Sequence, residues 1–223
     1  MSQTIAMVVE GSDDEAFFIA LLRKLGIPEE TIDIKVVEGK NKLYEVVESL
    51  IRIKVKRIIV AEDIDKDHPN TVFDRWCNKL QRDNNTLCDE ATMTIRMLGE
   101  EQVVLVIPMG LPNNQYLDRL RIIKRSMEDY VIQLLASYPR LSYILKFRGS
   151  IEDAMKKAAE LIEKLRSQGF EIASSKELMN ILRIILTEMP PRTFIREIIA
   201  NTPVKVIEEV IPLCESLRKF AFF

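Results

Sequence analysis

The sequence predicts an α/β fold with a mostly parallel sheet flanked by helices, followed by an all-helical C-terminal extension. Three short apolar runs, at residues 4–9, 32–37 and 57–61, alternate with two amphipathic segments. This alternation is typical of parallel strands joined by right-handed crossover helices. After residue 149 the apolar periodicity is only helical, which divides the chain into an α/β domain, 1–149, and a helical extension, 150–223.

The first strand and helix have recognisable start and stop signals. Residues 4–9 (TIAMVV) are followed by Glu10 and a glycine, as expected where a buried strand ends and turns. Ser12 with Glu15 three positions later predicts a capping box at the start of a helix. Gly26 is the expected end of that helix, because glycine readily adopts the C-terminal cap conformation.

The later elements follow from the same periodicities. Residues 92–98 and 103–108 predict a β-hairpin, because four turn residues separate two strand patterns. The segment 142–147 is predicted as a further strand. Helices are predicted over residues 43–53, 71–82, 127–137, 151–167 and 178–188, and from Thr202-Pro203 to about residue 220.

The charge balance excludes a protein that binds nucleic acid over a broad basic surface. There are 32 Lys and Arg residues against 34 Asp and Glu residues, for a net charge of −2. Contact with nucleic acid would therefore depend on a local basic patch or on a metal ion. No uncharged apolar run is long enough for a membrane helix, and no signal peptide is visible, so we expect a cytoplasmic protein without membrane contact.

Cysteine usage predicts a reducing compartment. Cys77, Cys88 and Cys214 are odd in number and contain no CxxC pair. The spacing argues against a disulfide framework and against a four-thiolate zinc site.

Carboxylates follow two of the predicted parallel strands. Glu10 follows the first strand, and Glu62, Asp63, Asp65 and Asp67 follow the third. Ligands of such sheets bind at the carboxyl ends of the strands, where these side chains would meet. Oxygen ligands without Cys or His favour Mg²⁺ or Mn²⁺, and such an ion serves phosphoryl transfer. The alternative is a solvated acidic loop with no ligand.

These residues resemble the motifs of Toprim domains. Residues 8–11 (VVEG), the following Asp13-Asp14 and an apolar helix are similar to the first Toprim motif. Residues 63–67 (DIDKD), about 50 positions later, are similar to the DxDx(E/D) motif. Residues 127–130 (MEDY) after VVLVIPM resemble a small prokaryotic group of Toprim-like proteins. The resemblance covers residues 4–148 and does not extend to the helical extension.

The resemblance implies roles for four acids. It makes Glu10 the general acid/base and a metal neighbour, Asp63 and Asp65 the Mg²⁺ (or Mn²⁺) ligands, and Asp67 the third acidic position. Toprim domains occur in topoisomerases, primases, overcoming-lysogenization-defect nucleases and RNA-maturation nucleases. The chain shows no topoisomerase tyrosine domain, primase zinc module or ATPase domain, so the resemblance favours a nuclease acting on DNA or RNA.

Five basic residues are candidates for phosphate contacts. Lys40 and Lys42 follow the second strand, on the same predicted sheet end as the acids. Arg121, Lys124 and Arg125 belong to a local basic run before the helix at 127–137. Solvated surface positions are the alternative for all five.

Three other functions compete with a nuclease. One is a non-catalytic binding or regulatory module, whose helical extension would contact a partner or a second copy of the chain in a homo-oligomer. A phosphoacceptor receiver would use Asp13, Asp14, Asp63 and Lys146. Receiver domains, however, have a shorter link between their third and fourth strands than this chain has between its own. A haloacid-dehalogenase-type phosphatase needs an aspartate where this chain has Glu10.

Overall fold

A computed structural model describes residues 5–222, with the exception of the side chain of Asp83. Within this range the strands form one six-stranded sheet. The strands are β1 Ile5–Val9, β2 Ile32–Val36, β3 Arg57–Asp63, β4 Thr86–Asp89, β5 Thr94–Met97 and β6 Val103–Met109. The helices are α1 Ser12–Lys24, α2 Lys40–Arg52, α3 Pro69–Asp83, α4 Gln115–Arg119, α5 Glu128–Ser137, α6 Leu141–Ile144, α7 Ile151–Ser167, α8 Ser175–Leu186, α9 Pro191–Asn201, α10 Val204–Val210 and α11 Leu213–Phe222.

The sheet is mixed but mostly parallel, which confirms the predicted fold class. Its strand order is β2-β1-β3-β6-β5-β4. Strands β2, β1, β3 and β6 are parallel neighbours, whereas β5 runs antiparallel to both β6 and β4. The predicted hairpin is therefore confirmed as β5 and β6. Strand β4 escaped prediction because its four residues, TLCD, are too few to show an alternating pattern.

Three local predictions are wrong. Helix α1 is capped at Gly11, whose N–H donates to Asp14 Oδ2 at 2.9 Å, so the cap lies one residue before the predicted Ser12–Glu15 box. The segment 142–147 contains the last three residues of helix α6, and no strand is assigned among its residues. The predicted last helix is two helices, α10 and α11, with Pro212 between them; proline has no N–H to continue the helical hydrogen bonds.

The cysteine prediction is also corrected. Cys77 of α3 and Cys88 of β4 form a disulfide, with their Cα atoms 6.2 Å apart. The pairing depends on α3 folding back beside β4, and no pattern in the sequence indicates that strand. Cys214 is a free, buried cysteine, and burial raises the pKa of its thiol to about 12.

Helices cover the sheet on both faces. Helices α2 and α3 pack their apolar sides on one face, against alternate residues such as Val8 and Val60. On the other face a second core contains α1, α5 and the helices after residue 150, and α1 packs closely against α9. The C-terminal helices thus share a core with the sheet. No helix in the described part of the chain is long and apolar enough to span a membrane.

Candidate active site

A cleft of about 430 Å³ lies where β1 and β3 end. Its walls come from five chain segments that are distant in sequence. The lining residues are Glu10, Gly11, Ser12, Asp13, Asp14, Gly39, Asp63, Asp65, Lys124, Ser126, Glu128, Ser174 and Lys176. The carboxyl ends of parallel strands thus form part of the cleft, which is the usual location of a ligand in an α/β sheet.

Glu10 lies in this cleft with an incompletely satisfied carboxylate. Its Oε1 atom is buried and accepts no hydrogen bond from the described residues. Burial raises the pKa of Glu10 to about 7, with smaller contributions in the same direction from Glu62 and Asp65, while Lys40 opposes the shift. A carboxyl that titrates near neutral pH is suited to general acid/base chemistry.

Asp14 and Asp63 are half-buried carboxylates whose charges repel each other. Burial, followed by the charges of Glu128 and Glu10, raises the pKa of Asp14 to about 7. Burial and the charges of Asp14, Glu128 and Glu10 raise the pKa of Asp63 well above its usual value. The N–H of Met127 donates to Asp63 Oδ1 at 3.2 Å and opposes this shift in part. Four carboxylates therefore share one electrostatic environment.

Glu128 is connected to the helices that follow residue 150. Ser126 Oγ donates to Glu128 Oε2 at 2.6 Å and lies 3.1 Å from Ser175 Oγ. Ser175, the first residue of α8, also donates to the carbonyl oxygen of Lys124 at 2.9 Å. The start of α8 is therefore fixed beside the acids, and its neighbour Lys176 lines the cleft.

Sequence reasoning missed Glu128, Lys176 and the full role of Asp14. The sequence indicates Asp14 as part of the Toprim-like first motif but gives it no place among the metal ligands, although it lies four residues after Glu10, one helical turn from the end of β1. No pattern along the sequence places Glu128 or Lys176 near Asp63. They line the same cleft only because α5 and α8 pack on the sheet.

The loop after β3 is held in an unusual conformation. Asp65 has a φ of 52°, in the left-handed region. Its backbone exchanges two hydrogen bonds with Arg125, at 2.9 and 2.8 Å. Gly110, with a φ of 131°, is packed so tightly that an added Cβ would lie 3.0 Å from side-chain atoms of Arg125 and Ile64. These contacts fix the direction of the chain between Asp63 and Asp65.

Lys40 contacts the same loop through its side chain. Its Nζ donates to Asp65 Oδ2 and to the carbonyl oxygen of Asp63, both at 2.6 Å, and lies 3.9 Å from Glu62 Oε1.

The other four predicted basic residues lie in different surroundings. Lys124 lines the cleft. Lys42 and Arg121 are exposed, and the described cleft lining does not include them. Arg125 is buried and pairs with Asp118.

Asp67 and Glu62 belong to a neighbouring ion-pair cluster. Arg75 donates to Asp67 Oδ2 at 2.9 Å and to Glu62 Oε1 at 2.5 Å, and the indole N–H of Trp76 donates to Glu62 Oε2 at 2.6 Å. Of the predicted acids, the structure thus brings Glu10, Asp63 and Asp65 to the cleft and places Asp67 on Arg75.

The donor set is chemically suited to Mg²⁺ or Mn²⁺, but the ligands are not preassembled. Across residues 5–222 no three His, Cys, Asp or Glu side chains converge as ligands of one metal ion. The unpartnered Glu10 Oε1 and the repulsion around Asp63 are nevertheless features that a divalent cation would relieve. Mg²⁺ commonly binds through only one or two carboxylates and keeps several waters, so a preassembled set of three is not required.

Comparisons with known proteins give a family and no function. The model of the family described as protein of unknown function (DUF3226) matches residues 4–188, which include the whole cleft. No curated protein and no solved structure matches the chain. The match continues across residue 150, in agreement with the contribution of α8 to the cleft.

Proposed function

For this chain, which belongs to the DUF3226 family, we propose a Toprim-like, Mg²⁺-dependent (or Mn²⁺-dependent) phosphoryl-transfer activity on nucleic acid, namely that of a nuclease. One observation carries the proposal: Asp14 and Asp63 lie in a single cleft with Glu10 and Glu128, whose negative charges act on both of them. Such an arrangement costs stability, and a protein has reason to keep it where a cation and a reaction use it.

Each side chain has a role that its position supports. Asp63 and Asp65 would hold the ion, which when bound supplies positive charge to the phosphate oxygens. Glu10, with a pKa near 7, would move a proton to or from the attacking or leaving oxygen. Asp67 pairs with Arg75, and we assign it to the support of the loop.

Two lysines would position the substrate phosphate. Lys124 and Lys176 line the cleft from the side of α5 and α8, and Lys176 Nζ lies 3.8 Å from Asp13 Oδ2. Phosphate contacts of this kind hold a nucleic acid without reading its sequence. A local pair of cations also agrees with a chain whose overall charge is nearly neutral.

The test is metal-dependent cleavage by the double variant Asp63→Ala/Asp65→Ala. We expect the wild type to cleave single- or double-stranded DNA or RNA with Mg²⁺ or Mn²⁺, and the double variant to be inactive. The variant Glu45→Gln/Glu160→Gln removes two exposed carboxylates elsewhere and is expected to keep full activity. Equal cleavage by the wild type and the Asp63/Asp65 variant would contradict the mechanism.

The second candidate is a non-catalytic binding module, and one observation favours it. Asp65 is paired with Lys40, and no metal site is preassembled in the described chain. In this alternative the helices after residue 150 contact a partner or a second copy. Thermal stabilisation by Mg²⁺ without cleavage of any of the four nucleic acids would favour the module over the nuclease.

A further inference from the structure

The ammonium group of Lys40 is the cation that the structure places at the predicted metal ligands. It donates 2.6 Å hydrogen bonds to Asp65 Oδ2 and to the carbonyl oxygen of Asp63. Its positive charge also opposes the raised pKa of Glu10, which lines the cleft. A divalent ion bound by Asp65 would need the carboxylate that Lys40 now holds.

The neighbouring acids differ from Asp65 in their dependence on Lys40. Glu62 already accepts hydrogen bonds from Arg75 and Trp76, and its distance to Lys40 Nζ is 3.9 Å. For the side chain of Asp65, Lys40 is the one ion-pair partner among the described residues. The competition between the ammonium and a metal ion is therefore located at Asp65.

The position of Lys40 allows its side chain to leave. The side chain is 34 % exposed and that of Asp65 is 50 % exposed, so both can reach water without opening the core. Lys40 is the first residue of α2, and its charge is carried on a flexible four-carbon stem. Loss of the contact therefore requires side-chain rotation and no rearrangement of the sheet.

We propose that Lys40 is a resident counterion that competes with the divalent ion for Asp65 and is released when the ion binds. This inference rests on the metal-dependent function proposed above and adds a regulatory step to it. In the metal-free protein the ammonium stabilises the loop after β3. In the loaded protein the same ammonium is free at the mouth of the cleft, available to a substrate phosphate.

The test is the affinity for Mn²⁺ alone, measured by titration calorimetry without substrate. Lys40→Gln is expected to bind Mn²⁺ about tenfold more tightly than the wild type, because a charge-assisted hydrogen bond to Asp65 no longer has to be broken. Lys164→Gln, at an exposed position of α7, should leave the affinity unchanged. Lys176→Gln, which removes a lysine paired with Asp13, should produce a smaller gain than Lys40→Gln.

Equal or weaker Mn²⁺ binding by Lys40→Gln would overturn the inference while leaving the proposed function intact. Absence of Mn²⁺ binding in both the wild type and this variant would contradict the proposed function as well. Circular dichroism is used to check that the variant folds.

A second measurement uses the wild type and does not depend on the folding of a variant. Amine-reactive labelling followed by mass spectrometry reports how accessible each lysine is. Saturating Mn²⁺ should increase the labelling of Lys40 and leave that of Lys164 unchanged. Unchanged or reduced labelling of Lys40 at saturation would show that the ammonium is not released.

Discussion

Two acidic clusters lie side by side at the end of β3, and they differ in how well their charges are compensated. In the first, Glu62 is buried and accepts hydrogen bonds from Arg75 and Trp76, and Arg75 also holds Asp67. In the second, Asp63 and Asp14 are half-buried among other carboxylates, and Glu10 has an oxygen that no described residue hydrogen-bonds. Adjacent residues of one strand, Glu62 and Asp63, thus belong to opposite kinds of site.

The difference separates carboxylates that stabilise the fold from carboxylates that repel one another. A buried charge with its own cation and hydrogen-bond donors supports the structure, and its loss leaves those donors unpaired. A group of like charges destabilises the structure until protons or a cation neutralise it. Substitutions in the two clusters should therefore have different effects. Removing a compensated carboxylate should lower the stability of the fold, and removing one of the repelling carboxylates should leave it unchanged or raise it.

The largest expected effect is on catalysis. Glu10→Gln should lower the rate of metal-dependent cleavage by about 10² to 10⁴-fold, because the amide cannot transfer the proton. The unfolding free energy should stay the same or rise, since one of the repelling charges is removed. Steady-state cleavage and urea denaturation of the same preparation check this, with Glu45→Gln as the exposed control. Loss of stability in parallel with activity would place Glu10 in the structural group.

The next effect is on stability, from the compensated cluster. Glu62→Ala should lower the free energy of unfolding by about 2–3 kcal/mol, because the buried indole N–H of Trp76 and one end of Arg75 lose their acceptor. Asp67→Ala removes only the exposed half of the Arg75 pair and should cost less than about 1 kcal/mol. Urea denaturation of both variants gives the comparison. Equal losses would show that burial does not distinguish the two acids.

The sequence was sufficient for those parts of the site that follow directly from strand ends. The apolar runs that form β1 and β3 located Glu10, Asp63 and Asp65, because the carboxyl ends of parallel strands converge by geometry. The helix periodicity also located most helices to within a few residues. These are local signals, and they do not depend on how distant segments pack.

The parts that were missed depend on packing between distant segments. Glu128 and Lys176 reach the cleft only because α5 and α8 lie on the same face of the sheet, joined through Ser126 and Ser175. The disulfide likewise required β4, whose four residues carry too little pattern to be recognised. The helix cap shifted to Gly11 because Asp14, and not Glu15, accepts its N–H.

The smallest expected effect is the dependence of stability on pH, which tests the uncompensated cluster directly. The pKa values of Glu10 and Asp14 rise from 4.5 and 3.8 to about 7 in the folded protein, so the folded state retains protons that the unfolded chain has released. The stability contributed by these protons is fully present below about pH 4 and is lost as the pH rises to about 7. Without metal, the melting temperature should therefore fall between pH 5 and pH 8.

Asp14→Asn sharpens this last comparison, because its amide oxygen can still accept the N–H of Gly11 while its charge is absent. The melting temperature of the variant should exceed that of the wild type by more at pH 8 than at pH 5. Mg²⁺ should raise the wild-type melting temperature more at pH 8 than at pH 5, since protons and the cation relieve the same repulsion. A wild type that becomes more stable from pH 5 to pH 8, or an Asp14→Asn variant with an unchanged pH profile, would show that the four carboxylates are not coupled.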